Sequence, residues 1–377
     1  MISIIFCGDI RYCPYLSRYT DRLDLAQSEY RVLFWNRAGL KLNIKENYRY
    51  YDSPSAEDLG KAKKLIDFLG FRNWVKKQLK EIKPDGIFFL STLSAVLLWD
   101  VARAYSGRYV FDIRDYSYEN ISLFKKLETR IISNSYFTAI SSKGFRAFLP
   151  EHEYIIAHNF NRNDMVEPFR FARKSEPYQI VWNGTVRFFD YQKKYLDVFK
   201  NDPRFIMVYH GAGTDLELYK KYCIENGITN VSFTGAYDNR DKAKLLENAA
   251  FLNNCYGGRD GDELRYAISN RFYDGLVYHI PQIVEDGGYK AGEARRLEVG
   301  LGVEPTSDLP DKLYQYYTGL DTDAFDLNCE NALNEIISED NNYIQRIDDF
   351  ANKFGRLKNE NYQCPFYRHV SKCRKSI

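Results

Sequence analysis

Several stretches of the chain combine residue types that handle anionic, hydroxyl-bearing ligands. An apolar run, Ile180-Val181-Trp182, ends in Asn183-Gly184-Thr185-Val186-Arg187, and Lys193-Lys194 open the helix that follows. A glycine at a strand end lets a ligand approach the backbone. Arg187 with Lys193 or Lys194 would then neutralise a diphosphate beside a helix N-terminus; the competing reading is a solvated turn with surface cations. Further on, Ser269 to Val284 spell a helix carrying Asp274, a turn at Pro281 and a new buried strand. A carboxylate accepts hydrogen bonds from two hydroxyls at once, which suits a ribose diol. The alternative for Asp274 is a place on a solvated helix face. The run Val231 to Thr234 delivers Gly235 and Tyr237 to the same kind of strand end, Gly235 for backbone contact with a base and Tyr237 as a ribose or base contact, with simple packing as its alternative. His210-Gly211-Ala212-Gly213 lacks the full dinucleotide fingerprint and reads as a tight strand-to-helix turn.

No metal chemistry is expected. Asp260-Gly261-Asp262 and Asp321-Thr322-Asp323 both have the Asp-x-Asp spacing, but neither ends a clear strand. The seven cysteines are scattered and never spaced CxxC, so neither a zinc site nor a disulfide framework is indicated. A departing phosphate group must therefore rely on fixed cations and dipoles.

The elements that would position these residues alternate in type. Short apolar runs at Ile2–Cys7, Arg31–Trp35, Gly86–Leu90, Tyr109–Ile113, Phe137–Ile140 and Tyr154–Ala157 read as strands, with helical patterns at Ala56–Ile82, Ser94–Tyr105 and Ser122–Ile132. After a polar, proline-interrupted stretch from Asn161 to Pro177 the pattern restarts. Strands are expected at Gln179–Trp182, Phe205–Tyr209, Val231–Thr234, Phe251–Asn253 and Gln282–Val284. Such alternation implies βαβ units and parallel sheets covered on both faces. The fold class is α/β, with two Rossmann-like doubly wound domains facing across a cleft: residues 1–165 on the acceptor side and 166–345 for the nucleotide. A helical tail, 346–377, would pack back on the first domain. Ligands in such sheets bind beyond the carboxyl ends of the strands.

Composition narrows the partners. A net charge of +2 over 377 residues lacks the basic excess of a general nucleic-acid binder. The N-terminus begins directly with a buried-strand pattern and reads as neither a secretory peptide nor a membrane span, so a cytoplasmic location is expected. Residues 61–83 hold seven Lys and one Arg around an apolar stripe of Leu65, Phe68, Leu69, Val75, Leu79 and Ile82, with Phe71 and Trp74 off it. This pattern fits contact with an anionic membrane surface, and equally a packed helix with a solvated lysine face.

Taken together, the motifs resemble the donor domain of GT-B glycosyltransferases, in particular family-four-like enzymes of bacterial surface polysaccharide (capsule) assembly. The resemblance spans nearly the whole chain. It implies that Gly184, Arg187 and Lys193 or Lys194 hold a donor diphosphate, and that Asn270, Arg271 and Asp274 serve the ribose. Arg271 and Asp274 replace the family's usual Lys and Glu, and the family's other glutamate falls at Tyr266. In the first domain the loop Asp112 to Glu119 would face the transferred sugar, with Asp115 as acid/base or sugar-binding group and Arg114 as a phosphate or acceptor contact. His158-Asn159 would lie at the hinge, and Asp9 and Arg11 in the first loop, with Asp9 equally suited to capping. The expected reaction is metal-independent, retaining transfer from a UDP- or GDP-linked sugar to a hydroxyl of a lipid-linked glycan, without a cofactor. The rivals are a sugar-nucleotide epimerase of the same fold and a catalytically silent donor-binding subunit.

Overall fold

The computed structural model describes residues 1–54, 61–160, 162, 165, 169–257 and 263–356. The first sheet has seven parallel strands: β1 (Ile2–Phe6), β2 (Tyr30–Asn36), β3 (Tyr48–Asp52), β4 (Gly86–Leu90), β5 (Tyr109–Ile113), β6 (Phe137–Ile140) and β7 (Tyr154–Ile156). Their order is β3-β2-β1-β4-β5-β6-β7. The second sheet has six: β8 (Tyr178–Asn183), β9 (Phe205–His210), β10 (Val231–Gly235), β11 (Ala249–Asn254), β12 (Gln282–Glu285) and β13 (Gly300–Val303), in the order β10-β9-β8-β11-β12-β13. Both orders reverse direction after the first strand of the unit, between β1 and β4 and between β8 and β11. Each sheet is thus doubly wound, with its crevice at that switch point.

Parallel strands are buried on both faces, and β1, β4 and β5 are apolar runs without exposed positions for that reason. Helix α1 (Leu16–Leu25) covers one face of the first sheet; α2 (Lys61–Ile82), α3 (Thr92–Leu97), α4 (Trp99–Ala104) and α5 (Ser122–Asn134) cover the other. The expected helix 94–105 is two short helices that meet at Leu98. The stripe on α2 also differs from expectation. Phe71, Val75 and Leu79 are buried at four-residue spacing and Trp74 packs beside them, while Leu65, Ile66 and Leu69 are exposed. Phe71 stacks on Trp35 of β2 at 5.6 Å, and that contact sets which face of α2 turns inward.

The second sheet is flanked by α6 (Phe189–Val198), α7 (Leu216–Glu225), α8 (Lys242–Leu246), α9 (Glu263–Tyr266), α10 (Asn270–Val277), α11 (Tyr289–Arg296) and α12 (Leu309–Gly319). Strands β3 and β13 and helices α1, α9, α11 and α12 have no counterpart in the sequence reading. The edge strand β3, Tyr-Arg-Tyr-Tyr-Asp, carries no apolar run that would reveal it.

The last element, α13 (Thr322–Phe354), is one 33-residue helix that runs through the boundary expected at 345/346. Phe325, Cys329, Ala332 and Ile336 pack with α10 in the second domain. Tyr343, Ile347, Phe350 and Ala351 pack on β1 and β4 of the first. The helix bridges both cores because its apolar stripe continues without a break, so a division there would expose one half of it. Between the halves, Lys143 pairs with Glu335 and Glu339, both at 2.7 Å, and Arg18 and Arg162 meet Asp340.

Candidate donor site

A cavity of about 440 Å³ opens at the carboxyl ends of the second sheet's strands, at the switch between β8 and β11. Asn183 and Gly184 enter it from β8, Tyr256 from beyond β11, and Asn270, Arg271 and Asp274 from the first turns of α10. Asn159 of the first domain closes one side.

Arg271 organises the floor. Its Nε and Nη2 donate to the Asn183 carbonyl at 3.0 and 2.7 Å, and Nη1 donates to the Asn253 carbonyl at 2.6 Å. The guanidinium lies 3.7 Å from the Trp182 ring centroid and 5.2 Å from that of Tyr256. Only a planar cation matches two carbonyls and two rings at once. Both carbonyl partners are neutral, so neither forms an ion pair with the guanidinium.

Asp274 is buried, and both of its carboxylate oxygens have donors: Lys242 Nζ reaches Oδ1 at 2.9 Å, and Asn183 Nδ2 reaches Oδ2 at 2.8 Å. The solvated-helix alternative for Asp274 is thus excluded. Lys242, at the start of α8, and Lys290, at the start of α11, also line the cavity, and the sequence reading missed both. Lys290 is buried, 3.1 Å from Glu285, and stands 3.9 Å from the Tyr256 ring centroid. Its only signal in the sequence is its place just after Gly287-Gly288 at a strand end.

Arg187 and Tyr237 line the cavity as well. Lys193 and Lys194 do not, which corrects their assignment to a diphosphate. Phe188 turns the chain through a left-handed conformation (φ 67°), and α6 then buries Gln192, Tyr195 and Leu196. Lys193 is left on Asp190 at 3.0 Å and Lys194 beside the Tyr191 ring. Gly235 is also outside the cavity; its carbonyl accepts from Gly211 N–H at 2.8 Å. Gly184 holds φ 115° at the cavity edge, a conformation that disfavours any side chain. At Gly211 a Cβ would sit 1.8 Å from the Gly184 carbonyl oxygen, so the two turns interlock.

In the first domain, Arg114 is not free to meet a phosphate or an acceptor. It is 5% exposed, pairs with fully buried Asp112 at 2.7 Å and donates to Ala157 O and Asn159 Oδ1 at 2.8 and 3.0 Å. It therefore braces the loop that carries Asn159. Asp115, next along, reaches solvent, and partial burial by neighbouring protein raises its carboxyl above the usual range. Behind this loop Glu119 accepts from Ser117 N–H at 2.5 Å, and buried Glu128 has no hydrogen-bond partner for either oxygen. Burial, with Glu119 nearby, pushes Glu128 up to about 8. Asp9 caps the turn Ile10–Tyr12 and pairs with Arg11 at 2.8 Å.

His158 bridges Tyr273 of α10 at 2.9 Å and Glu339 of α13 at 2.7 Å, joining three elements where the domains meet. Tyr266 turns toward the first domain, 5.2 Å from the Phe148 ring centroid and 6.3 Å from that of Tyr116. Asp321 caps α13, accepting from Asp323 and Ala324 N–H at 3.1 Å, so this Asp-x-Asp triplet serves a helix end. Asp260-Gly261-Asp262 lies outside the described residues.

No protein-family model and no curated protein sequence matches the chain. Solved structures do. A glycosyltransferase from Rickettsia africae aligns with a TM-score of 0.63 and 12% identity, over 93% of this chain and 97% of that one. HepE of Anabaena in complex with UDP aligns at 0.61 and 11% identity, over 92% and 99%. WaaG, a glycosyltransferase involved in lipopolysaccharide biosynthesis, aligns at 0.56 and 10%, over 88% and 94%. The chain has the GT-B fold. In GT-B terms, the cavity lies in the second Rossmann-like domain and opens toward the first.

Proposed function

We propose that this chain is a glycosyltransferase that moves a sugar from a nucleotide-sugar donor to a hydroxyl of a glycan. The observation that carries the reading is one cavity lined by the carboxylate of Asp274 and by the cations Arg187 and Arg271. A carboxylate for a diol beside guanidinium groups for a diphosphate is the polarity pattern of a nucleoside diphosphate. The GT-B fold and the UDP complex of the Anabaena protein support the same ligand class.

In the reaction the acceptor oxygen bonds to the anomeric carbon on the face from which the phosphate oxygen departs, as the bond from that carbon to the phosphate oxygen breaks. The electron pair leaves with the nucleoside diphosphate. Arg187, Arg271 and Lys290 stabilise the charge that develops, which is where preorganised cations contribute most. We assign the hydroxyl proton to Asp115, the exposed carboxyl on the loop after β5 that the family resemblance turns toward the transferred sugar. We assign metal independence and retention of configuration to this reaction, the first from the cation set and the second from the family resemblance. An epimerase would need several carboxylates and a histidine around the sugar. Among the described residues lining the cavity, Asp274 is the sole carboxylate and there is no histidine.

The acceptor we propose is a lipid-linked glycan, a reading supported by the likeness to WaaG, which is involved in lipopolysaccharide biosynthesis. Leu65, Ile66 and Leu69 stand exposed on α2 beside Lys63 and Lys64, the surface on which the chain would meet an anionic membrane. Among the described residues no helix is long and apolar enough to cross a membrane. Calorimetric titration with UDP and GDP, followed by a donor and acceptor panel, tests the function. Binding of one nucleotide with turnover supports it, and binding without turnover on a broad panel marks a silent subunit.

A further inference from the structure

The segment Ala157 to Phe160 follows β7 at the carboxyl edge of the first sheet, and two arginines clamp its backbone. Arg114 Nη1 donates to the Ala157 carbonyl at 2.8 Å. Arg18 Nη1 donates to the carbonyls of His158 and Phe160 at 3.4 and 3.2 Å. Ala157, His158 and Phe160 are buried, whereas Asn159 is exposed and lines the donor cavity. Among the described residues it is the one member of the first domain that does so.

The polarity that Asn159 presents follows from its inner partner. A side-chain amide has one accepting end, the carbonyl oxygen, and one donating end, the NH2. Arg114 Nη1 donates to Asn159 Oδ1 at 3.0 Å. A guanidinium only donates, so turning the amide over would point its NH2 at a cation and lose that bond. Arg114 is itself fixed. Its Nη2 donates to Asp112 Oδ2 at 2.9 Å and to the Tyr343 hydroxyl at 3.3 Å, and its guanidinium stands 4.3 Å from the Tyr15 ring centroid. Asp112 is held in turn by the Tyr19 hydroxyl, which donates to it at 2.6 Å. Nδ2, with two N–H groups, is therefore the end of Asn159 left for a ligand. A nucleotide-sugar offers acceptors to such a group in its phosphate oxygens and its sugar hydroxyls. On the reading that the cavity binds nucleotide-sugars, we infer that Asn159 donates a hydrogen bond from Nδ2 to an oxygen of the bound donor. The first domain thereby takes part in recognising the ligand that the second domain holds.

The test is calorimetric titration of the full chain with UDP, with GDP, and with hexose donors of the nucleotide that binds. Asn159→Asp keeps the size of the side chain and an oxygen for Arg114, and exchanges the outward NH2 for an anionic acceptor. It should melt at least as high as the parent, because the bond to Arg114 becomes an ion pair, while donor affinity falls at least about tenfold. Asn159→Ala should bind donor at least about fivefold more weakly, the share of one hydrogen bond. Loss with the nucleotide alone puts the accepting oxygen on the diphosphate, and loss confined to the sugar donor puts it on the sugar. Parent-like affinity in Asn159→Asp would show that an acceptor serves as well as a donor there, and would overturn the inference. Parent-like affinity in Asn159→Ala would overturn it too, by leaving charge alone as the cause of any loss in Asn159→Asp. In both cases nucleotide binding by the parent leaves the transferase reading standing. If the parent binds neither UDP nor GDP, the donor reading itself fails, and this inference with it.

Discussion

Replacing Asp274 by Asn keeps the shape of the side chain and removes its charge, so it separates two roles that the structure gives one carboxylate. In the free protein Asp274 holds Lys242 at 2.9 Å and Asn183 at 2.8 Å. Breaking a fully buried pair costs about 3–5 kcal/mol. Lys242 lines an open cavity and its side chain is 14% exposed, so water recovers part of that loss. We expect roughly 1–3 kcal/mol, which for a domain of this size lowers Tm by about 2–10 °C. Donor binding suffers separately. Two charge-assisted bonds to the ribose become neutral ones, and at about 1.5–3 kcal/mol for each charged bond the affinity for the nucleoside diphosphate should fall at least about tenfold. Lys242→Met added to Asp274→Asn removes the ammonium that faced the carboxylate. The double variant should regain stability without regaining affinity. Scanning calorimetry and titration with UDP or GDP read the two effects independently. Full nucleotide affinity in a folded Asp274→Asn protein would refute the ribose assignment, and recovery of affinity in the double variant would show that the Lys242 ammonium caused the loss.

Three further outcomes follow from the same geometry. Arg187→Ala should lower turnover at least about tenfold, equivalent to about 1.4 kcal/mol of transition-state stabilisation, and unchanged kinetics would remove Arg187 from the site. Activity should persist in EDTA, with the cations of the cavity stabilising the leaving group; loss on chelation with rescue by manganese would overturn this. Glu128, pushed up to about 8 by burial, holds its proton when folded over a range where the unfolded chain has lost it. Stability should therefore fall as pH rises from about 4.5 to about 8. Glu128→Gln should melt higher than the parent at pH 8–9 and close to it at pH 5; equal Tm values at pH 8–9 would contradict the buried, unpartnered carboxyl.

Legibility in the sequence followed the locality of the signal. The buried parallel strands were readable because a strand covered on both faces is an unbroken apolar run: β4, β5 and β6 fall at Gly86–Leu90, Tyr109–Ile113 and Phe137–Ile140, the spans expected. The repeat of that pattern after residue 177 announced a second sheet. Gly184, Arg187, Tyr237 and Asp274, named from strand ends and a helix, and Asn270 and Arg271, implied by the resemblance, all line the cavity, at the strand ends where a doubly wound sheet gathers ligand contacts. The polar edge strand β3 gave no such signal, since half-buried Tyr and Arg do not separate a strand from a loop.

The tertiary structure decided what each charge is for. Lys193 and Lys194 have the right spacing from Gly184, but the left-handed turn at Phe188 and the burial of Tyr195 rotate them out of the cavity. Lys242 and Lys290 enter it from helices some 60 and 100 residues further along, brought there by crossovers that return to the same sheet edge. Arg114 has the composition of a ligand contact and the environment of a core brace, because Asp112 lies beneath it and Asn159 beside it. A sequence determines which residues can carry a charge or a hydrogen bond. Which charges are left for a ligand depends on the internal partners each one meets, and those partners come together only through the packing of elements distant along the chain.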